Sequence, residues 1–194
     1  MIYVIGYRDD IDEDECIINT TSRSLNWSKG LSPFFLKPIG YNCYNVENLW
    51  QYSKLYPEHA DNDGNPTAEF FDWQLTGFNK KYADRYPMGK GKIPLCSYFN
   101  GKKYSYIEAR KNIYMPIYAT AVVQSSAYEK LYETFKERED IYLLDFDGYN
   151  HNALKMSIKD VINNEKRKMG HAFVLKFLLL KDIKPYTILN FKDI

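Results

Sequence analysis

The sequence predicts an α+β domain, mostly helical with a small set of short strands, that occupies residues 1–194 as a single compact unit. Three observations predict it. A chain of 194 residues can bury one sizeable core but not two comfortable ones. Helix-period and strand-like segments interleave without the regular alternation of a parallel βαβ sheet. No internal repeat and no low-complexity stretch interrupts the pattern.

The elements follow in order. Residues 2–7, "IYVIGY", read as a short strand, residues 9–15 as an acidic loop, and "CIINTT" (16–21) as a second strand. The segment 24–40 contains Gly30, Pro33, Pro38 and Gly40 and is expected to be irregular. Asn45 can cap a helix over 45–56, because Val46, Leu49, Trp50 and Ser53 recur at helical spacing. A polar loop spans 57–66. Its alternating Asp61, Asp63 and Asn65 do not make a calcium loop, since Gly64 stands at the wrong offset and no Glu closes it.

A second helix is expected over 67–78, ending near Gly77, then a Gly-, Pro- and Lys-rich loop over 85–94. Residues 105–137 read as helical, broken or kinked at Pro116, which lacks the donor for the ladder. "IYLLDFDGYNHN" (141–152) is a strand running into an Asp-Gly turn. Residues 157–180 read as helical, opened by an approximate capping box of Ser157 and Asp160, and "YTILNF" (186–191) as a last strand.

Composition removes several function classes. With 45% apolar and 26% charged residues the chain is an ordinary globular one, and a formal charge of +1 supplies no bulk attraction to nucleic acid or membrane. No stretch approaches the roughly 20 apolar residues of a membrane span, so no membrane partner is expected. Cys16, Cys43 and Cys96 are odd in number and far apart, which points to a reduced, cytoplasmic protein without a disulfide framework or a zinc site. Aromatic residues reach 16%; such rings fill cores and also stack on bases and sugars. No phosphate-binding glycine fingerprint and no acyl-transfer elbow is present. His59, His151 and His171 lack ligand spacing, and His171 on "MGHAF" reads as a satisfied core histidine.

What remains is a set of carboxylates among aromatic rings, with cations on glycine-rich loops. Glu47 stands in the first turn of its helix, where the exposed amides favour an acid by about 0.3–1 kcal/mol. The same position, ringed by Trp50, Tyr44 and Tyr52, suits a functional carboxylate whose pKa burial raises and the helix start lowers. Asp145 and Asp147 close a strand two residues apart, so both can face one cleft, or both can belong to a solvated turn. Arg85, Lys90 and Lys92 flank glycines that let a backbone approach an anion, or they lie on a plain surface loop.

Taken together, "LSPFFLKPI", "YNVENLWQYSKLY", a strand ending in an acid and a glycine, and "RKMGHAFVLKFLLL" resemble the order of segments in the NADAR superfamily. That family carries a Y-x-S/T-V-E-H-x-x-Q-x-x-K helix, matched here by Tyr44, Val46, Glu47, Gln51 and Lys54. Asn48 replaces the family's His, and "DFDGYNHN" lacks its tryptophan. The family acts on ADP-ribose linkages and related N-glycosides, including ADP-ribose on guanine in DNA, and is found in bacteria and their viruses. The resemblance implies an N-glycosidase that needs no cofactor and no metal, with Glu47 as the catalytic acid and Asp147 as the second acid. It implies, as substrate, an ADP-ribosylated guanine or thymine, free or in DNA, or a related ADP-ribose metabolite, and a role in reversing toxin-driven DNA modification.

N-glycoside cleavage builds positive charge on the ribose carbon, which a carboxylate can stabilise while activating water. Around Glu47, Asp145 and Asp147 can hold ribose hydroxyls, Trp50, Tyr149 or Tyr44 can stack on the base, and Arg85 with Lys90 can bind the pyrophosphate. The alternatives are a protein that sequesters such a nucleotide without turnover, and a nucleic-acid-binding accessory protein.

Overall fold

The computed structural model describes residues 1–12 and 14–190. It shows an α+β architecture with two small three-stranded sheets. In the first sheet, β1 (Ile2–Ile5) and β2 (Ile17–Asn19) both run parallel to β6 (Ile141–Leu144), which lies between them. The central strand is thus the last in sequence, and residues 20–140 form one long excursion before the chain returns. Ile141 and Leu143 are buried on one face of β6, whereas Tyr142 stacks on Tyr3 of β1 at 4.7 Å on the other. This is the period-two alternation of a half-covered sheet. The sequence places the three strands, though each is shorter than expected.

The covering layer is helical. α7 (His171–Leu180) packs on β1 and on α4 (Met115–Val122), and both helices are apolar nearly all round, as a helix buried between layers must be. Residues 157–180 are not one helix. The capping box of Ser157 and Asp160 opens α6 (Ile158–Asn163), and the chain then leaves helical geometry over 164–170 before α7 begins. The buried guanidinium of Arg110 holds this break: Nη1 donates to the carbonyls of Val161, Ile162 and Asn164, and Nη2 to that of Arg167. A cation on the last carbonyls of a helix replaces the hydrogen bonds that its end lacks.

Pro116 does not break its helix. α3 (Tyr106–Ala109) runs into one π turn, Arg110–Tyr114, and on into α4, with Met115 N–H bonded five residues back to Arg110. The wider turn makes room for a ring that cannot donate to the fourth carbonyl before it. The break falls at 123–125 instead, where the Ser125 side chain accepts from Tyr128 N–H and caps α5 (Ser126–Glu137).

α1 (Val46–Tyr52) begins as expected at Asn45, whose side chain accepts from Asn48 N–H, but it ends four residues early. The chain turns at Ser53 into β3 (Lys54–Leu55), the edge of an antiparallel sheet with β4 (Cys96–Phe99) and β5 (Lys102–Tyr104). The β4–β5 hairpin escapes the sequence analysis, although Asn100-Gly101, at φ +49° and +76°, is the preferred pair for a two-residue turn. α2 (Ala68–Phe78) lies against α1. Gly77 permits that contact, since an added β-carbon would meet the Tyr52 ring at 2.0 Å.

The expected last strand is absent over 186–190, and Phe191 lies outside the described residues. Tyr186, at φ +59°, stands in left-handed geometry that an extended strand cannot use. Glu13 of the acidic loop also lies outside the described residues. Among the described residues no helix is long and apolar enough to cross a membrane.

Candidate active site

A cavity of about 460 Å³ lies where α1, the π turn, the 145–148 turn and the N-terminus of α7 meet. Glu47 lines it and is buried. The amides at the start of α1 are already occupied: Val46 N–H donates to Leu36, Glu47 N–H to Pro33 and Asn48 N–H to the Asn45 side chain. The Glu47 carboxylate is therefore not a cap. It accepts instead from Gln51 Nε2 at 2.8 Å, and Gln51 Oε1 accepts from Lys54 Nζ at 2.7 Å. Burial raises the Glu47 pKa, opposed in order by the Gln51 hydrogen bond and the charges of Lys54, Arg85 and His171. Of the two opposing influences expected at this position, burial dominates.

Lys54 lies over the Trp50 ring at 5.0 Å, and Trp50 packs against Tyr114 at 5.2 Å on the cavity wall. Burial lowers the Lys54 pKa to about 8, although Glu47 pulls it back up.

Asp145 and Asp147 both line the cavity, but not as two residues of one strand face. β6 ends at Leu144, and Asp145–Gly148 form a turn closed by Gly148 N–H on the Asp145 carbonyl. Asp145 is buried and caps α7 from outside the helix. Its Oδ2 accepts from Ala172 N–H at 3.0 Å and lies 3.2 Å from His171 Nδ1. His171 Nε2 meets the Thr20 carbonyl at 2.8 Å, so this histidine is satisfied in the core as expected while one side lines the cavity. Asp147 pairs with Arg85 at 2.7 Å, and the Arg85 guanidinium also lies against the rings of Phe146 and Tyr86.

Asn48, which stands where the resembled family has His, fastens the approach to Arg85. Its amide donates to the carbonyls of Lys80 and Tyr82, and its Oδ1 accepts from Asp84 N–H at 2.8 Å. A buried amide with these partners locks the 80–84 segment and so places the next residue in the cavity.

Of the residues expected from sequence, Glu47, Trp50, Arg85, Asp145 and Asp147 come together in the cavity. Lys90, Tyr44 and Tyr149 do not line it. Lys90 is exposed between Gly89 and Gly91, which do line it and which both have left-handed backbone. Tyr44, two residues before α1, is half exposed. Tyr149 packs on Phe173 at 4.8 Å under the Arg167 guanidinium. Gln51, Lys54, Tyr114 and Lys168 are cavity residues to which the sequence analysis gives no role. Gln51 could have been given one, because its spacing of four from Glu47 stacks the two side chains on one helical face, whereas Lys54 lies beyond the end of α1, on β3.

Five cations line the cavity, Lys54, Arg85, Lys92, Arg110 and Lys168, against three carboxylates. Of these cations Arg85 is paired with Asp147, Lys92 with Glu58, and Arg110 with backbone carbonyls. Comparison of the chain with protein families, with curated proteins and with solved structures finds no match in any of the three.

Proposed function

We propose that this cavity hydrolyses the N-glycosidic bond between ADP-ribose and a nucleobase, guanine or thymine, or that of a related ADP-ribose metabolite, as members of the NADAR superfamily do. The observation that carries the reading is Glu47. It is a buried carboxylate with a raised pKa, held by Gln51 through one oxygen while the cavity lies against it. In the reaction, water adds to the ribose carbon, the carbon–nitrogen bond breaks, and the base leaves with a proton. Glu47 faces the developing oxocarbenium charge, takes the proton of the attacking water as the water oxygen bonds to the ribose carbon, and passes that proton to the departing base nitrogen. A raised pKa brings a carboxyl closer to neutral pH, where it can both accept and return a proton.

Asp147 and Asp145 supply acceptors for ribose hydroxyls, and the surplus of cations suits a pyrophosphate. Lys168 and Lys54 suit it better than Lys90, which stands outside the cavity, or Arg85, already neutralised by Asp147.

Sequestration without turnover is the second reading, favoured by one observation: with Asp147 paired to Arg85 and Asp145 held by Ala172 N–H and His171, the two acids beside Glu47 are already engaged by the protein, so no second free carboxylate stands ready for proton transfer. The test is incubation of the protein with ADP-ribosylated guanine and thymine oligonucleotides, read by mass spectrometry. Restored oligonucleotide with released ADP-ribose supports hydrolysis; unchanged masses together with tight binding support sequestration.

A further inference from the structure

We propose that the Tyr114 hydroxyl is a second working group of this cavity, a neutral hydrogen-bond donor to an oxygen of the sugar bound against Glu47; the inference rests on the reading above. Tyr114 is the last residue of the π turn, which turns it onto the cavity wall beside Trp50. Three other buried tyrosines have a protein partner for the hydroxyl: Tyr118 donates to the Leu31 carbonyl at 2.7 Å, Tyr128 to that of Ile183 at 2.8 Å, and Tyr52 to Asp84 at 3.0 Å. Buried Tyr56 also lines the cavity without such a bond, but Tyr114 is the one that packs on Trp50 and feels the charge of Glu47. Among the described residues the Tyr114 hydroxyl makes no such bond, and it is not sealed from the cavity as the Tyr149 hydroxyl is from its surroundings. A donor kept beside a cavity without a partner gains its hydrogen bond only when a ligand arrives.

The surroundings choose the role. Burial first, and then the charges of Glu47, Asp145 and Asp147, hold the phenol pKa well above its usual range, while Arg85 opposes them. Tyr114 therefore stays protonated, which rules out a phenolate nucleophile and leaves donation. A ribose next to Glu47 offers ring and hydroxyl oxygens as acceptors for such a donor. A donor aimed at an oxygen whose charge changes during glycoside cleavage contributes to the rate as well as to binding.

The test is Tyr114→Phe in the full chain, with Tyr118→Phe as a control from the same helical run that lies outside the cavity. Turnover of an ADP-ribosylated oligonucleotide, affinity for free ADP-ribose and thermal midpoint are measured for both. For Tyr114→Phe we expect kcat/KM to fall about tenfold or more and ADP-ribose affinity to fall about threefold or more, with an unchanged midpoint. Tyr118→Phe should lower the midpoint and leave both readouts near wild type.

A wild-type protein that turns over substrate, with Tyr114→Phe indistinguishable from it, overturns the Tyr114 inference and leaves the proposed function standing. A wild-type protein that binds ADP-ribose through Tyr114 without turnover overturns hydrolysis and leaves the donor in place. Absence of both binding and turnover overturns both.

Discussion

Lys54 donates from Nζ to Oε1 of Gln51 at 2.7 Å, and that bond decides which end of the Gln51 amide faces Glu47. With its oxygen engaged, Gln51 presents Nε2, which donates to Glu47 at 2.8 Å. A cation on the first residue of β3 thereby favours the ionised form of an acid in the first turn of α1, against the burial that raises its pKa.

The alkaline limb of activity should belong to Lys54. Its pKa of about 8 means that the charge acting on Glu47 disappears above that pH. We expect kcat/KM to fall with a midpoint near 8 in the wild type. In Lys54→Arg, whose guanidinium stays charged, the limb should move to much higher pH. An identical limb in both proteins would dissociate Lys54 from Glu47. Stability carries the opposite sign: because the folded value lies below the ordinary 10.5, the unfolded chain holds the proton more tightly, and this group adds stability as pH rises from about 8 to 10.5. That rise should be missing in Lys54→Met.

Glu47→Gln should abolish hydrolysis, by a factor on the order of 10³, while leaving ADP-ribose affinity within about tenfold. It should also stabilise the fold at neutral pH. A carboxyl with a raised folded pKa gives its full stability below its ordinary value of 4.5 and loses it as pH rises through the folded value. Thermal midpoints across that range should decline with pH in the wild type and stay flatter in the variant. A variant less stable than wild type at pH 7 would contradict the burial argument.

Gly170→Ala should detach Asp145 from α7. An added β-carbon would lie 2.0 Å from Asp145 Oδ2, the atom that accepts from Ala172 N–H. We expect a loss of about 1–3 kcal/mol in urea denaturation, the usual cost of forced overpacking at a tight site. Asp145→Ala combined with Gly170→Ala should then cost less than the sum of the two single changes, since the contact that Gly170 protects is gone.

Arg85→Met should shift the acid limb of activity upward in pH. Arg85 is one of the charges that lower the Glu47 pKa, and its removal leaves Asp147 unpaired in the same cavity. The pH profile of kcat/KM checks this. Restoring the pairing in reverse, with Asp147→Arg in the Arg85→Asp background, should recover part of the wild-type stability if the 2.7 Å contact holds the two loops together.

Much of this organisation is legible in the chain because it is local. The Asn45 cap, the Ser157–Asp160 box and the apolar strand at 141–144 depend on neighbours a few residues apart, and all three stand in the structure. So does the spacing of Glu47 and Gln51, which needs only helical periodicity to place the two side chains together. The pairing of Asp147 with Arg85 across 62 residues, the Asn48 grip on 80–84 and the Arg110 hold on 161–167 have no local signature, because each partner is supplied by another element. The same reason explains the corrections. Pro116 was accommodated by a π turn, the carbonyls at the break in the 157–180 segment are bound by Arg110, and Lys90 stands exposed outside the cavity. Spacing along the chain put an acid at position 47. Burial where the π turn, the 145–148 turn and the start of α7 meet α1 is what gave that acid a raised pKa and a cavity to act in, since desolvation depends on everything that surrounds a group and not on its sequence neighbours.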